Sequence, residues 1–202
     1  MKYIFMTTSA NVGNMLSMAV AAVLLPFLPL LAGQILLINL LSDLPAMTIA
    51  GDRVDEPLLR RPQRWNIHLI RNYMLVFGAV SSVFDLATFG VLLWGYGAAA
   101  PEFRSAWFVG SVLTEVAVLF SLRTRGPIFR SRPGRWVVVS SIAVALVTIA
   151  LPYTPLAPPL ELVPLPASLL AIILGITAAY VVATELTKRV FWRQRHRGAR
   201  SA

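Results

Sequence analysis

No cysteine occurs anywhere in the chain, which excludes a disulfide framework, a thiolate metal centre and thiol redox chemistry. Histidine is nearly as scarce. His68 and His196 are the two present, both in basic segments outside the apolar runs, so a histidine-based metal site is not expected. Charge is sparse too: 13% of the 202 residues are Asp, Glu, Lys or Arg, about half the share usual in a soluble domain. Acids are the scarcer sign, nine against eighteen basic residues, for a net charge of +9. No secretory signal is recognisable. After Met1-Lys2 the chain soon runs polar (TTSANVGN), and the apolar run that follows is of spanning length.

Apolar residues are abundant instead, at 57% of the chain, with a mean hydropathy of +0.70. Several uninterrupted apolar runs reach membrane-spanning length, which makes this an integral membrane protein of all-α class. Six spans are expected, at about 3–25, 34–50, 73–96, 106–122, 136–151 and 167–186. Residues 1–187 then form one six-helix transmembrane bundle, and 188–202 a basic, frayed cytoplasmic tail. Tight Pro-rich connections, PFLPLLAG and PYTPLAPPLELVPLP, link the first span to the second and the fifth to the sixth.

The basic residues fall on one side. Arg53, Arg60, Arg61, Arg64 and Arg71 follow the second span; Arg123, Arg125, Arg130, Arg132 and Arg135 follow the fourth; Lys188, Arg189, Arg193, Arg195, Arg197 and Arg200 follow the sixth. Lys2 joins them at the start, and Arg104 alone lies opposite. An even number of spans with both termini cytoplasmic satisfies the positive-inside rule. The excess of positive charge is thereby assigned to the headgroups of the bilayer, in a multi-pass protein of the plasma membrane, and not to nucleic acid. Trp65, Trp94, Trp107, Trp136 and Trp192 fall near expected interfaces, as an aromatic belt would.

The chain is organised around Gln34–Ala50, QILLINLLSDLPAMTIA. Asn39, Ser42 and Asp43 are spaced i, i+3, i+4, so a helix carries them on one face within roughly 6 Å along its axis. An unpaired carboxylate in hydrocarbon costs on the order of 3 kcal/mol. Pro45 has no backbone N–H and crowds the carbonyl of Leu41, so the second helix is expected to be broken there. A broken helix beside a buried acid is how transporters bind cations at membrane depth; the plainer alternative is a proline kink with a satisfied polar cluster.

Four acids lie within the spans: Asp43, Asp85, Glu115 and Glu185. Glu185 sits at a cytoplasmic helix end and is expected to pair with Lys188 or Arg189. The other three have no Lys or Arg at their depth, so each either carries a proton or is compensated by a cation. The first span contributes Asn11 and Asn14 with Thr7 and Ser17, and the fourth Ser111 and Thr114 beside Glu115. Folded together, Asn11, Asn14, Asn39, Ser42, Asp43 and Glu115 would make an all-oxygen cage suited to a hard divalent cation such as Mg²⁺ or Ca²⁺. Against this stands simple hydrogen bonding between helices, worth roughly 0.6 kcal/mol per contact. Ser81, Asp85 and Thr88 form a separate stripe, a structural anchor, a second polar network or a proton route.

KYIFMTTSANVGNMLSM, LLAGQILLINLLSDLPAMTIA and DRVDEPLLRRPQRWNIHLIRNYMLVFGAVSSVFD together resemble the C-terminal membrane half of cation-transporting P-type ATPases, especially the magnesium-translocating branch. PQRWN, FG..SSVFD and SAWFVGSVLTE..VLFSLRTR are the more specific stretches, and the likeness covers nearly the whole chain. The resemblance implies that the six spans are the family's fifth to tenth transmembrane helices. Likeness to the calcium-pump branch implies cation-site positions at Asn11 and Asn14 on the fifth helix, at Asn39, Ser42 and Asp43 on the broken sixth, and at Glu115 on the eighth. Asn14 stands where calcium pumps carry glutamate, and Ser42 where they carry threonine, so a two-calcium site is not implied.

Pumps of this family also use a phosphorylated aspartate in DKTGT, a TGES loop and a nucleotide-binding domain. None of these stands in the 202 residues, nor does GxxxxGK[ST], so no ATP site is expected in them. The resemblance therefore implies a truncated or split pump whose catalytic half and first four helices come from a complementary chain. The ion, Mg²⁺ or another hard divalent cation, would be cargo. Two other readings stay open: a free-standing passive cation pathway or pump regulator, and an inert fragment.

Overall fold

The computed structural model describes residues 2–52, 67–124, 126–128 and 131–198. The stretch holding Arg53, Arg60, Arg61, Arg64 and Trp65 lies outside them, as do Arg125, Arg130 and Arg200. The described residues are all-helical. Six α-helices run in order: α1 (Lys2–Leu24), α2 (Ala32–Thr48), α3 (Ile67–Gly90), α4 (Ala100–Leu122), α5 (Arg135–Ala150) and α6 (Ala167–Gly198). Five helical stretches are long and apolar enough to cross a membrane: Ala32–Gly51, Ile67–Tyr96, Ala100–Leu122, Arg135–Tyr153 and Ala167–Arg193. Helix α1 has the length, 23 residues, but Thr7, Thr8, Ser9, Asn11, Asn14 and Ser17 dilute its apolar content.

Local chemistry explains the ends. Helix α1 stops at Leu24 because a residue preceding proline, here Leu25 before Pro26, is steered out of the helical region. Helix α4 starts at Ala100, earlier than the expected span. Pro101 in the first turn needs no donor, and the Glu102 carboxylate accepts the Ala99 N–H at 3.3 Å. Helix α3 runs into one wide turn, Val91–Tyr96, closed by Gly97 at φ 70°.

Two expectations are corrected. Pro45 does not interrupt α2: the helix continues through it to Thr48, then tightens into a 3₁₀ turn at Ile49–Gly51. So close to the C-terminal end, the donor missing at Pro45 removes one hydrogen bond, and the Pro45 carbonyl is taken up by the Thr48 hydroxyl at 2.6 Å. The basic segment from Lys188 is not a frayed tail either, since α6 stays helical through Gly198. Lys188 Nζ donates to the Ser121 carbonyl at 2.8 Å and meets Glu185 at 2.7 Å, while Phe191 sets its ring edge-on to Tyr73 at 5.5 Å. Basic side chains also suit the C-terminal end of a helix dipole.

Helix α4 is the axis of the bundle. Of its membrane window 78% is buried, against 28–33% for the other four candidate spans. Helix α1 packs chiefly on α3, α4 on α6, and α2 on α5 and α4. In lipid, apolar burial drives little helix association, and close backbone approach matters more. Gly13 and Gly78 supply it. A Cβ on Gly13 would lie 2.6 Å from the Ser81 Cβ, and one on Gly78 3.0 Å from a Val12 methyl. The Ser82 hydroxyl then donates across the crossing to the Gly13 carbonyl at 3.1 Å.

Not every tryptophan belongs to an interfacial belt. Trp94 and Trp136 are exposed, but Trp107 is only 2% exposed and packs edge-on to Phe89 at 4.6 Å. Its place on the central helix overrides the position its distance from the span end suggested.

Candidate cation site

Glu115 sits half-buried on α4, the one helix that the others surround. Asn14 of α1 donates its side-chain nitrogen to Glu115 Oε1. The Ser42 hydroxyl of α2 lies within hydrogen-bonding reach of the same carboxyl, and the charges of Asp43 and Asp85 act on it. Three helices therefore converge on one acid. The Gly13–Ser81 crossing brings α1 close to α3, and the next residue of α1, Asn14, reaches Glu115 on α4.

Asn11 and Asn39 are less enclosed. Both are exposed in this chain, and both line a cleft of about 570 Å³ with Asn14, Trp107 and Ser111. Ser111 Oγ is buried there with no hydrogen-bond partner among the described residues. Of the six residues singled out from the sequence, the fold joins Asn14 to Glu115, sets Ser42 and Asp43 beside them, and leaves Asn11 and Asn39 on the cleft wall. Among the described residues, no three His, Cys, Asp or Glu side chains cluster as a metal-binding group. Any cation held here draws on amide and hydroxyl oxygens as well as carboxylates.

The remaining acids divide clearly. Ion pairs among the described residues join Asp52 to Arg123 at 3.1 Å, Glu161 to Arg104 at 3.3 Å, and Glu185 to Lys188 at 2.7 Å. Asp43, Asp85 and Glu115 take part in none of these pairs. Asp85 of α3 instead accepts from the Ser17 hydroxyl of α1 at 2.6 Å; the Trp107 indole lies close by.

Sequence reasoning missed the Asp52–Arg123 pair. Both side chains are buried, Arg123 also donates to the Ser131 carbonyl, and Asp52 Oδ1 accepts the Gly134 N–H at 2.8 Å. This knot ties the end of α2 to the α4–α5 connection. The partners stand 71 residues apart, so no local spacing announces them, and Arg123 reads on paper as one more headgroup arginine. Gln34 was missed likewise. It accepts the Leu31 N–H at 3.1 Å and donates to the Leu160 carbonyl at 2.9 Å, anchoring the start of α2 to the α5–α6 connection.

Comparison with known proteins agrees with this architecture. Residues 27–190 match the family described as "Cation transporting ATPase, C-terminus". "Magnesium-transporting ATPase, P-type 1" of Escherichia coli (strain K12) is 39% identical over 199 residues, covering 96% of this chain and 22% of the relative. Proteins of the same name from Salmonella typhimurium (strain LT2) are 38% and 33% identical, over 96% and 94% of this chain and again 22% of each relative. The chain thus spans about a fifth of the length of these relatives. It belongs to the cation-transporting ATPase family, as the C-terminal membrane domain of a P-type cation ATPase.

Proposed function

We propose that these residues hold the transported ion of a magnesium-type P-type pump between α1, α2 and α4. The observation that carries this reading is the Asn14–Glu115 hydrogen bond with Ser42 in reach and the Asp43 charge acting on the same carboxyl, two acids that make no ion pair among the described residues. Two carboxylates balance one divalent ion, and hard oxygen donors suit Mg²⁺. Asn11, Asn14, Asn39 and Ser42 supply the neutral oxygens. The relatives are named for magnesium transport, which favours that ion as cargo.

ATP hydrolysis is supplied from outside these 202 residues, by a complementary catalytic chain. The bundle lies in the plasma membrane with both termini cytoplasmic, an orientation supported by the one-sided arginines.

The test is reconstitution of the full chain in vesicles with the catalytic part and first four helices of a magnesium P-type ATPase. ATP-dependent Mg²⁺ uptake is expected, and its loss in Asp43→Asn and in Glu115→Gln. Correct insertion without any ATP-dependent uptake would overturn the proposal.

A further inference from the structure

We propose that Asp85 and the small pocket beside it form a separate site, in the middle of the bundle, for an exchangeable proton and one water molecule. The site uses none of the residues assigned to the cation, and it stands whether or not that assignment holds.

The first argument is the surroundings of Asp85. Its Oδ2 lies 2.6 Å from the Ser17 hydroxyl of α1, and the Gly13 carbonyl 2.9 Å from that hydroxyl also takes the Ser82 hydroxyl at 3.1 Å, so this contact is polar but uncharged. The groups acting on Asp85 do not offer a countercharge: Ser17 on α1, Glu115 and Trp107 on α4, and Tyr180 on α6. An ionised carboxylate beside another acid, away from any cation, is the expensive arrangement in hydrocarbon.

The second argument is the pocket. A cavity of about 20 Å³ between α3, α4 and α6 is lined by Asp85, Ser81, Thr88, Thr114, Thr177 and Tyr180. That is room for one water. Thr88, Thr114 and Thr177 give their hydroxyl protons to the carbonyls of Phe84, Gly110 and Ile173 of their own helices, at 2.8, 2.9 and 2.9 Å. What these three turn to the cavity is therefore lone pairs, while Ser81 and Tyr180 bring hydroxyls that can donate. A pocket offering both kinds of group suits a water, which donates and accepts. That water connects Asp85 to the hydroxyls of α6 and provides the route by which its proton exchanges.

The experiment is infrared spectroscopy of the full chain in lipid bilayers at neutral pH, without ATP or divalent ion. A protonated-carboxyl C=O band is expected that vanishes in Asp85→Asn and shifts upward in Ser17→Ala, which removes one hydrogen-bond partner. Transfer to D₂O is expected to shift the band without unfolding. Glu115→Gln serves as the control and is expected to leave this band in place, which separates the site from the cation cage. Three results would overturn the proposal: an Asp85→Asn spectrum identical to the parent, a band that does not respond to D₂O, or a band abolished by Na⁺ or K⁺ at constant pH. The last would make the pocket an alkali-cation site.

Discussion

The Asn14 amide of α1 and the Glu115 carboxylate of α4, 101 residues apart in the chain, are joined by a direct hydrogen bond. The bond gives the proposed site its geometry, because it orients both side chains before any ion arrives. One amide proton goes to Glu115, and the Asn14 oxygen is left for other use.

Asn14→Asp adds a carboxylate where the cage has an amide. Reconstituted with its catalytic partner, this variant is expected to bind divalent ions more tightly, by about tenfold, or 1.4 kcal/mol, and to discriminate less against Ca²⁺. Glu115→Gln is expected to weaken Mg²⁺ binding by at least as much. Equilibrium dialysis with Mg²⁺ and Ca²⁺ reads both effects, and unchanged affinities in the pair would remove Glu115 from the site.

Gly13 is fixed by sterics. An added Cβ meets the Ser81 Cβ at 2.6 Å, and here the neighbouring atom is the root of a side chain, which cannot swing away. Gly13→Ala is expected to cost about 1–3 kcal/mol, the usual range for overpacking. Adding Ser81→Gly should recover part of that loss. Thermal unfolding in mild detergent checks it, and a Gly13→Ala protein as stable as the parent would mean that α1 and α3 do not cross so closely.

Arg123 and Asp52 form a buried pair, so removing one partner strands the other. Asp52→Ala is expected to destabilise the bundle by about 3–5 kcal/mol and to loosen the connection between α4 and α5. Replacing both partners together, Asp52→Leu with Arg123→Met, is expected to cost much less. Denaturant titration of the single and double variants measures the difference, and equal losses would show that the charge pairing is immaterial.

Pro45→Ala returns a backbone donor to Leu41. The variant is expected to stiffen the end of α2, leave the charge of the site unchanged, and slow ATP-dependent uptake in the reconstituted assembly. Hydrogen exchange at residues 46–48 should slow in parallel. Uptake at the parental rate with slower exchange would divorce the mobility of this helix end from transport.

Some of this architecture is legible residue by residue. The pairing of Glu185 with Lys188 follows from i, i+3 spacing on one helix. The early start of α4 was also written locally, in Pro101 and Glu102, but a Gly/Ala-rich stretch in front of them reads as a loop. Trp107 illustrates the opposite case. A tryptophan near a span end suits either an interface or a core, and only the surrounding helices decide which.

Composition and period alone determine that this is a helical membrane protein, because runs of twenty apolar residues have no other stable home. Folding in three dimensions decides which polar groups meet. Asn14 finds Glu115, Ser17 finds Asp85 and Asp52 finds Arg123 across long stretches of chain. A helix that must satisfy its polar side chains in lipid has only its neighbours to satisfy them with, and helix packing, here set by glycine at the α1–α3 crossing, chooses those neighbours.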